Sequence, residues 1–243
     1  MMEFIKVNDY QAMSERACSI MIETINRIKN PVLGLATGST PEGLYQKIIE
    51  KFNEGMVSFQ DVTTFNLDEY VGLEREDVNS YYRYMKEKLF DHVDIKLERV
   101  HLPNGAATDL EGECQRYERQ IQQAGKIDLQ ILGMGINGHI GFNEPGTPFS
   151  SRTHVVELAA STREANSRFF PTLDDVPTQA LTMGIATIME SKEILLLVSG
   201  EQKAEAIARL AEGDISEDFP ASILRNHPNV TVIVDEGAMV LAK

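Results

Sequence analysis

The chain has 243 residues, 42 % of them apolar and 25 % charged, which is ample material for one fairly large globular domain or at most two small ones. Thirty-seven Asp and Glu against 23 Lys and Arg leave a net charge of −14, a field that repels nucleic acid and anionic membrane surfaces, so no nucleic-acid or membrane partner is expected. An anionic substrate would have to be captured against that field by local donors: a Lys, an Arg or a helix N-terminus.

The opening MMEFIKVNDY has no charged stretch leading into an apolar one, and no apolar run is long enough to span a bilayer, so a cytoplasmic protein is expected. A helical pattern over Asp9–Lys29 comes first. It holds Cys18, which with Cys114 makes two cysteines without metal-ligand spacing, read as buried, inert thiols. Val32–Ala36 follows as a strand and ends in Thr37-Gly38-Ser39-Thr40-Pro41. Pro suits a first helical position, with Thr40 as N-cap of a helix to Asn53. The loop offers N–H groups and hydroxyls to an anion at a helix N-terminus, although an ordinary, well-capped βα turn would look the same. It lacks the GK[ST] ending of a P-loop, which disfavours a nucleoside triphosphate.

The next strand, Val62–Leu67, runs into Asp68-Glu69-Tyr70. A carboxylate at the tip of a buried strand is placed to act as a general base, and Asp68 is the choice, with Glu69 structural. Helical patterns over Ser80–Phe90 and Leu110–Gln123 lead to a strand at Leu129–Leu132 and the segment ILGMGINGHIGFNEP. Gly133-x-Gly135-x-x-Gly138 spells a dinucleotide fingerprint, but two prolines and two more glycines just beyond leave no helix to receive a pyrophosphate. One His and one Glu do not make a metal site. There remains His139 as acid/base, with Glu144 orienting its imidazole and stabilising its charged form.

Further strands are expected at His154–Leu158, Ile194–Val198 and Val230–Val234, and helices at Thr178–Glu190 and Glu201–Glu212. Between them Arg163, Arg168 and Lys203 are cations available to an anion. Alternating strands and helices, without repeats or a linker, predict a single α/β domain over residues 1–243: a mostly parallel sheet with helices on both faces.

In chain order ATGSTP, FNLDEYVGL, GINGHIGFNEPG, SRTHVVEL, TREANSRFF, ALTMGIATIMESK and SGEQKAEA resemble the isomerising glucosamine-6-phosphate deaminase family, from about Val32 to Asp235. The resemblance implies a modified Rossmann-like fold and a hydrolytic, isomerising deamination of glucosamine 6-phosphate to fructose 6-phosphate and ammonium. It places the chain in amino-sugar catabolism and implies neither an organic cofactor nor a metal. It makes Asp68 the base that moves a proton between C2 and C1, and His139, supported by Glu144 and Asn137, the catalyst of pyranose opening. Thr37, Gly38, Ser39, Thr40, Arg168 and Lys203 would hold the 6-phosphate.

Two departures stand out. Some family members have Asp where this chain has Asn137, so a somewhat different pH profile is expected. Members activated by N-acetylglucosamine 6-phosphate are hexamers with a longer C-terminal segment, and have basic residues where His154 and Val156 stand here; a monomer or small homo-oligomer without that activation is expected instead. The rivals are a 6-phosphogluconolactonase-like hydrolase, which the LDEY and GHIGFNEP strings disfavour, and a phosphosugar-sensing regulator domain, disfavoured because no helix-turn-helix or basic face is apparent.

Overall fold

The computed structural model describes residues 2–167 and 170–240. Seven strands form a sheet in the order β1 (Met2–Val7), β10 (Val230–Asp235), β9 (Glu193–Val198), β6 (Leu129–Gly133), β2 (Val32–Leu35), β3 (Thr63–Asn66), β5 (Val100–His101), and every neighbouring pair is parallel. The inner strands are apolar on both faces because helices cover both. Leu33, Leu35, Ile131, Leu195 and Leu197 pack under α1 (Tyr10–Arg27) and α2 (Glu42–Asn53), with Met13, Met21, Leu44 and Ile48. On the other face Leu132, Leu196 and Val232 meet Tyr117 of α4 (Leu110–Gln123) and Ile207 and Leu210 of α7 (Ala204–Glu212). Each such aliphatic side chain contributes roughly 1.5–3 kcal/mol relative to exposure.

The strand order turns between β2 and β6: from β2 the chain steps to β3 and β5, while β6, β9 and β10 lie on the other side. In open α/β sheets the crevice at such a reversal, beyond the carboxyl ends of the strands, receives the ligand. The loops leaving β2 and β6 are the two glycine-bearing segments singled out in the sequence.

A second, three-stranded antiparallel sheet, ordered β4 (Asp68–Tyr70), β8 (Gln179–Thr182), β7 (His154–Glu157), corrects two expectations. The strand at His154 belongs to it and not to the parallel sheet. The helix expected over Thr178–Glu190 is strand β8 followed by the short α6 (Ile185–Met189). Gly184 separates them because the chain passes too close to the Ser151 and Arg152 carbonyls for a side chain: a Cβ there would lie 2.3 and 2.2 Å from them. Pairing on both edges of β8 overrides a locally helical apolar pattern. The remaining helices are α3 (Tyr81–Lys88), capped by Ser80, and α5 (Ala160–Asn166).

Candidate active site

Three tyrosines hold the loop after β2 by its carbonyls. Tyr45 Oη donates to Ala36 at 2.5 Å, Tyr84 Oη to Gly38 at 2.7 Å and Tyr10 Oη to Ser39 at 2.9 Å. With the carbonyls turned inward, the N–H groups of Gly38, Ser39 and Thr40 have no protein acceptor among the described residues, nor do the hydroxyls of Thr37, Ser39 and Thr40. Gly38 adopts φ +89, a backbone conformation that glycine takes without steric cost. Thr40 is not the N-cap expected of it: Pro41 occupies that position, and the first turn of α2 donates from Gly43 N to Tyr10 Oη at 2.7 Å, so the Thr40 hydroxyl stays uncommitted. Lys203 approaches from the end of β9. Its Nζ donates to the Met134 carbonyl at 2.7 Å, and burial lowers its pKa. Asp235 fixes the turn before it, accepting from Ser199 Oγ at 2.5 Å and Gly200 N at 3.1 Å. The result is a pre-organised anion cradle with one desolvated cation beside it.

Asp68 reaches the crevice differently from the sequence expectation. β3 ends at Asn66, Leu67 bridges the two sheets by donating to Leu35 and accepting from Met183, and Asp68 begins the antiparallel β4. Its carboxyl, 6 % exposed, lies close to Gly141: a Cβ on that residue would be 3.7 Å from Oδ2. Burial first, and the Glu69 charge second, push the Asp68 carboxyl up to about 8. A carboxyl raised in this way is poised to take and return a proton near neutral pH.

The loop after β6 closes on itself, with Gly135 N donating to the His139 carbonyl at 2.9 Å. The imidazole lies flat against Gly135, where a Cβ would come within 2.3 Å of Nδ1. His139 Nδ1 is 2.8 Å from Asn137 Oδ1, and Asn137 Nδ2 donates to Glu144 Oε2 at 2.8 Å. Only the amide's NH₂ can serve the carboxylate, so its oxygen faces the ring and Nδ1 carries the hydrogen. That leaves Nε2, which has no protein partner among the described residues, as the atom that can exchange protons. Glu144 Oε2 is 3.6 Å from Nδ1, so Asn137 bridges the pair in place of a direct hydrogen bond. Thr162 of α5 donates to Glu144 Oε1 at 2.6 Å. Burial alone would raise the Glu144 carboxyl, but the nearby His139 imidazole, the bond from Thr162 and the Asn137 amide together hold it down at about 2. Asn143 pins the loop from behind, donating to Ile140 and Met183 carbonyls at 2.9 Å.

These groups line one cavity of about 400 Å³: Thr37–Thr40 and Lys203 together with Asp68, Asn137 and His139. Glu144 stands behind Asn137. Arg168 lies outside the described residues. Arg163 is committed elsewhere, donating to the Leu173 and Val176 carbonyls. Tyr81, Phe142 and Asn166 also line the cavity. Tyr81 and Asn166 carry no spacing that distinguishes them from core or surface residues and come in with α3 and α5, whereas Phe142 comes in with the loop after β6.

A family profile described as glucosamine-6-phosphate isomerases/6-phosphogluconolactonase matches residues 8–233. The chain is 61 % identical to a glucosamine-6-phosphate deaminase of Shouchella clausii, over 98 % of this chain and 96 % of that one. It is 54 % identical to glucosamine-6-phosphate deaminase 1 of Bacillus subtilis, over 99 % of each. Among solved structures, a monomeric glucosamine-6-phosphate deaminase superposes with a TM-score of 0.96 at 54 % identity, covering 98 % of this chain and 99 % of that one. A 6-phosphogluconolactonase of Thermotoga maritima shares the fold, with a TM-score of 0.77 at 21 % identity over 97 % of this chain and all of that one.

Proposed function

The chain belongs to the glucosamine-6-phosphate isomerase/6-phosphogluconolactonase family, and on that premise we propose that it converts glucosamine 6-phosphate and water to fructose 6-phosphate and ammonium, working as a single α/β unit. The observation that carries the proposal is the shared cavity: a carboxyl base and an acid/base imidazole line it together with an anion cradle and a buried lysine.

The 6-phosphate rests on the N–H groups and hydroxyls of Thr37–Thr40 and on Lys203, with Arg168 a further contact implied by the family resemblance. That remote contact orients the reacting carbons, so binding energy is converted into position. His139 Nε2 relays the proton from O1 to the ring oxygen as the C1–O5 bond breaks and C1=O1 forms. Asn137 and Glu144 hold the ring and stabilise its charged form during the transfer. In the open chain the Asp68 carboxylate removes the C2 proton, leaving an enolamine once O1 takes up a proton, and returns it at C1. Water then adds to the C2 iminium and ammonium leaves, so C–N cleavage is hydrolytic while C1 and C2 exchange oxidation levels. The monomeric solved relative supports a monomer or small oligomer here.

Incubation with glucosamine 6-phosphate should release ammonium and fructose 6-phosphate in equal amounts. Asp68→Asn should abolish that release while substrate still binds, because the cradle is untouched. Absence of both products at high enzyme concentration would sink the proposal, and hydrolysis of a phosphogluconolactone without ammonium would point to the lactonase side of the family.

A further inference from the structure

Glu69 is the member of the acidic pair that the proposed chemistry leaves idle. Alternation along β4 sends the two carboxyls to opposite faces. Asp68 lines the active cavity, whereas Glu69 lines a separate cleft of about 540 Å³ shared with Arg75, His101 and Arg116. Glu69 is only 3 % exposed, yet neither arginine forms an ion pair with it among the described residues, and burial lowers the His101 pKa. Three backbone N–H groups satisfy it instead. Tyr70 N and Tyr81 N donate to Oε1 at 3.0 and 2.9 Å, and Tyr82 N donates to Oε2 at 3.1 Å.

Those donors belong to two different elements. Tyr70 ends β4, while Tyr81 and Tyr82 open α3, where N–H groups have no partner within the helix. Ser80 Oγ takes the next one, from Arg83 at 3.0 Å. Tyr81 in turn lines the active cavity, stacks on Phe142 with ring centroids 6.2 Å apart at 14°, and meets the Tyr70 hydroxyl at 3.2 Å. Phe142 follows Gly141, the residue against which the Asp68 carboxyl lies.

We propose that Glu69 is a positioning residue: its buried carboxylate clamps the strand that presents Asp68 to the first turn of α3, holding Asp68 and the Tyr81 wall in one frame, and its charge acts on Asp68. The inference rests on Asp68 as the base. A carboxylate is required because three donors converge. A glutamine could offer one oxygen to two of them, but its NH₂ would face the third, and an aspartate is one methylene too short to reach both elements.

The electrostatic half follows from the same geometry. Burial raises Glu69, the three N–H bonds oppose it, and Asp77 adds to the rise, leaving the group at about 7. Around Glu69 stand Asp77 and Glu74 from the loop before α3, Arg75 over the Tyr82 ring, His101 of β5, Glu98 just before it and Arg116 of α4. Around Asp68 stand Glu69 and the hydroxyls of Tyr70, Tyr81 and Tyr117. The Glu69 charge is therefore one of the two causes that hold the Asp68 carboxyl up, after burial.

Glu69→Gln separates this role from mere packing. Removing the neighbouring charge should move the acidic limb of the kcat/KM profile down by about one pH unit. Loss of the frame should lower kcat by about ten- to a hundredfold, with KM little changed because the phosphate cradle is elsewhere. Glu69→Asp should lower kcat but leave the limb in place, since the charge is kept. A Glu69→Gln enzyme with the native acidic limb would overturn the proposal. The protonated-carboxyl infrared band of Asp68, identified by its loss in Asp68→Asn, gives the same answer without turnover: its midpoint must fall in Glu69→Gln. An enzyme that releases no ammonium would thus sink the deaminase reading and still leave this one decidable. Should Glu69→Gln not fold, Glu69→Asp keeps the charge and shortens only the clamp, and a native kcat there would overturn the proposal equally.

Discussion

Burying Asp68 to 6 % exposure beside a second carboxyl works against folding, because the ionised form loses water and gains no cation among the described residues. Its carboxyl moves from an ordinary 3.8 up to about 8 on folding, so the native state holds this proton more tightly than the unfolded chain does. Between those two values the unfolded state binds fewer protons, and stability falls as pH rises; the contribution is fully present below the lower value and lost by the upper one. Asn at this position has no charge to desolvate. The melting temperature of Asp68→Asn should therefore match the native protein near pH 4 and exceed it by a margin that widens up to about pH 8. In a chain of this size each 1 kcal/mol corresponds to about 2–4 °C, which thermal unfolding at a series of pH values resolves. A margin independent of pH would mean that Asp68 is not the strained group. Site residues of this kind were legible in the sequence because their chemistry is unusual at a strand end: Asp68, His139 and Glu144 were each read from type and neighbourhood. The bridging geometry of Asn137 and the bond from Thr162 were not, since they depend on how far the loop folds back and where α5 lands.

At the scale of elements, the loop after β2 owes its shape to side chains distant in sequence. Tyr10 comes from α1, Tyr45 from α2 and Tyr84 from α3, and each donates to a loop carbonyl. Deleting the Tyr84 hydroxyl removes one net hydrogen bond, about 0.5–1.5 kcal/mol, and frees the Gly38 carbonyl to turn toward the bound phosphate. Tyr84→Phe should raise KM for glucosamine 6-phosphate severalfold, about 2–13-fold if the whole of that energy is lost from binding. Its kcat should change little, because the Tyr84 hydroxyl bonds the Gly38 carbonyl and neither Asp68 nor His139. Steady-state kinetics separates the two, and a fall confined to kcat would contradict the assignment of this loop. The same reach across elements explains what periodicity missed in the fold. β2, β6, β9 and β10 read as strands because both of their faces are buried. β1, an edge strand of alternating partial burial, and β5, two residues long, carry too little pattern. β8 reads as helix because Gln179–Thr182 runs on into the apolar stretch of α6, and only pairing with β4 and β7 extends it.

For the molecule as a whole, a net charge of −14 opposes the arrival of a phosphate ester, whose ammonium group offsets only part of its charge. Two fields compete at the cleft. The distributed surface charge acts over a Debye length of about 30 Å at 0.01 M salt and about 10 Å at 0.1 M, so salt removes it readily. The cradle acts at contact distance through N–H groups and a lysine that burial shields from salt. Raising ionic strength from about 0.01 to 0.1 M should therefore weaken the repulsion more than the capture. The expected result is a kcat/KM that rises with salt at low ionic strength while kcat stays constant, since encounter and not chemistry is affected. A chloride salt is the appropriate probe, because sulfate or phosphate would compete for the cradle itself. A kcat/KM that instead fell steadily with salt would mean that local cations dominate the approach, and that the acidic surface is arranged away from the mouth of the cleft.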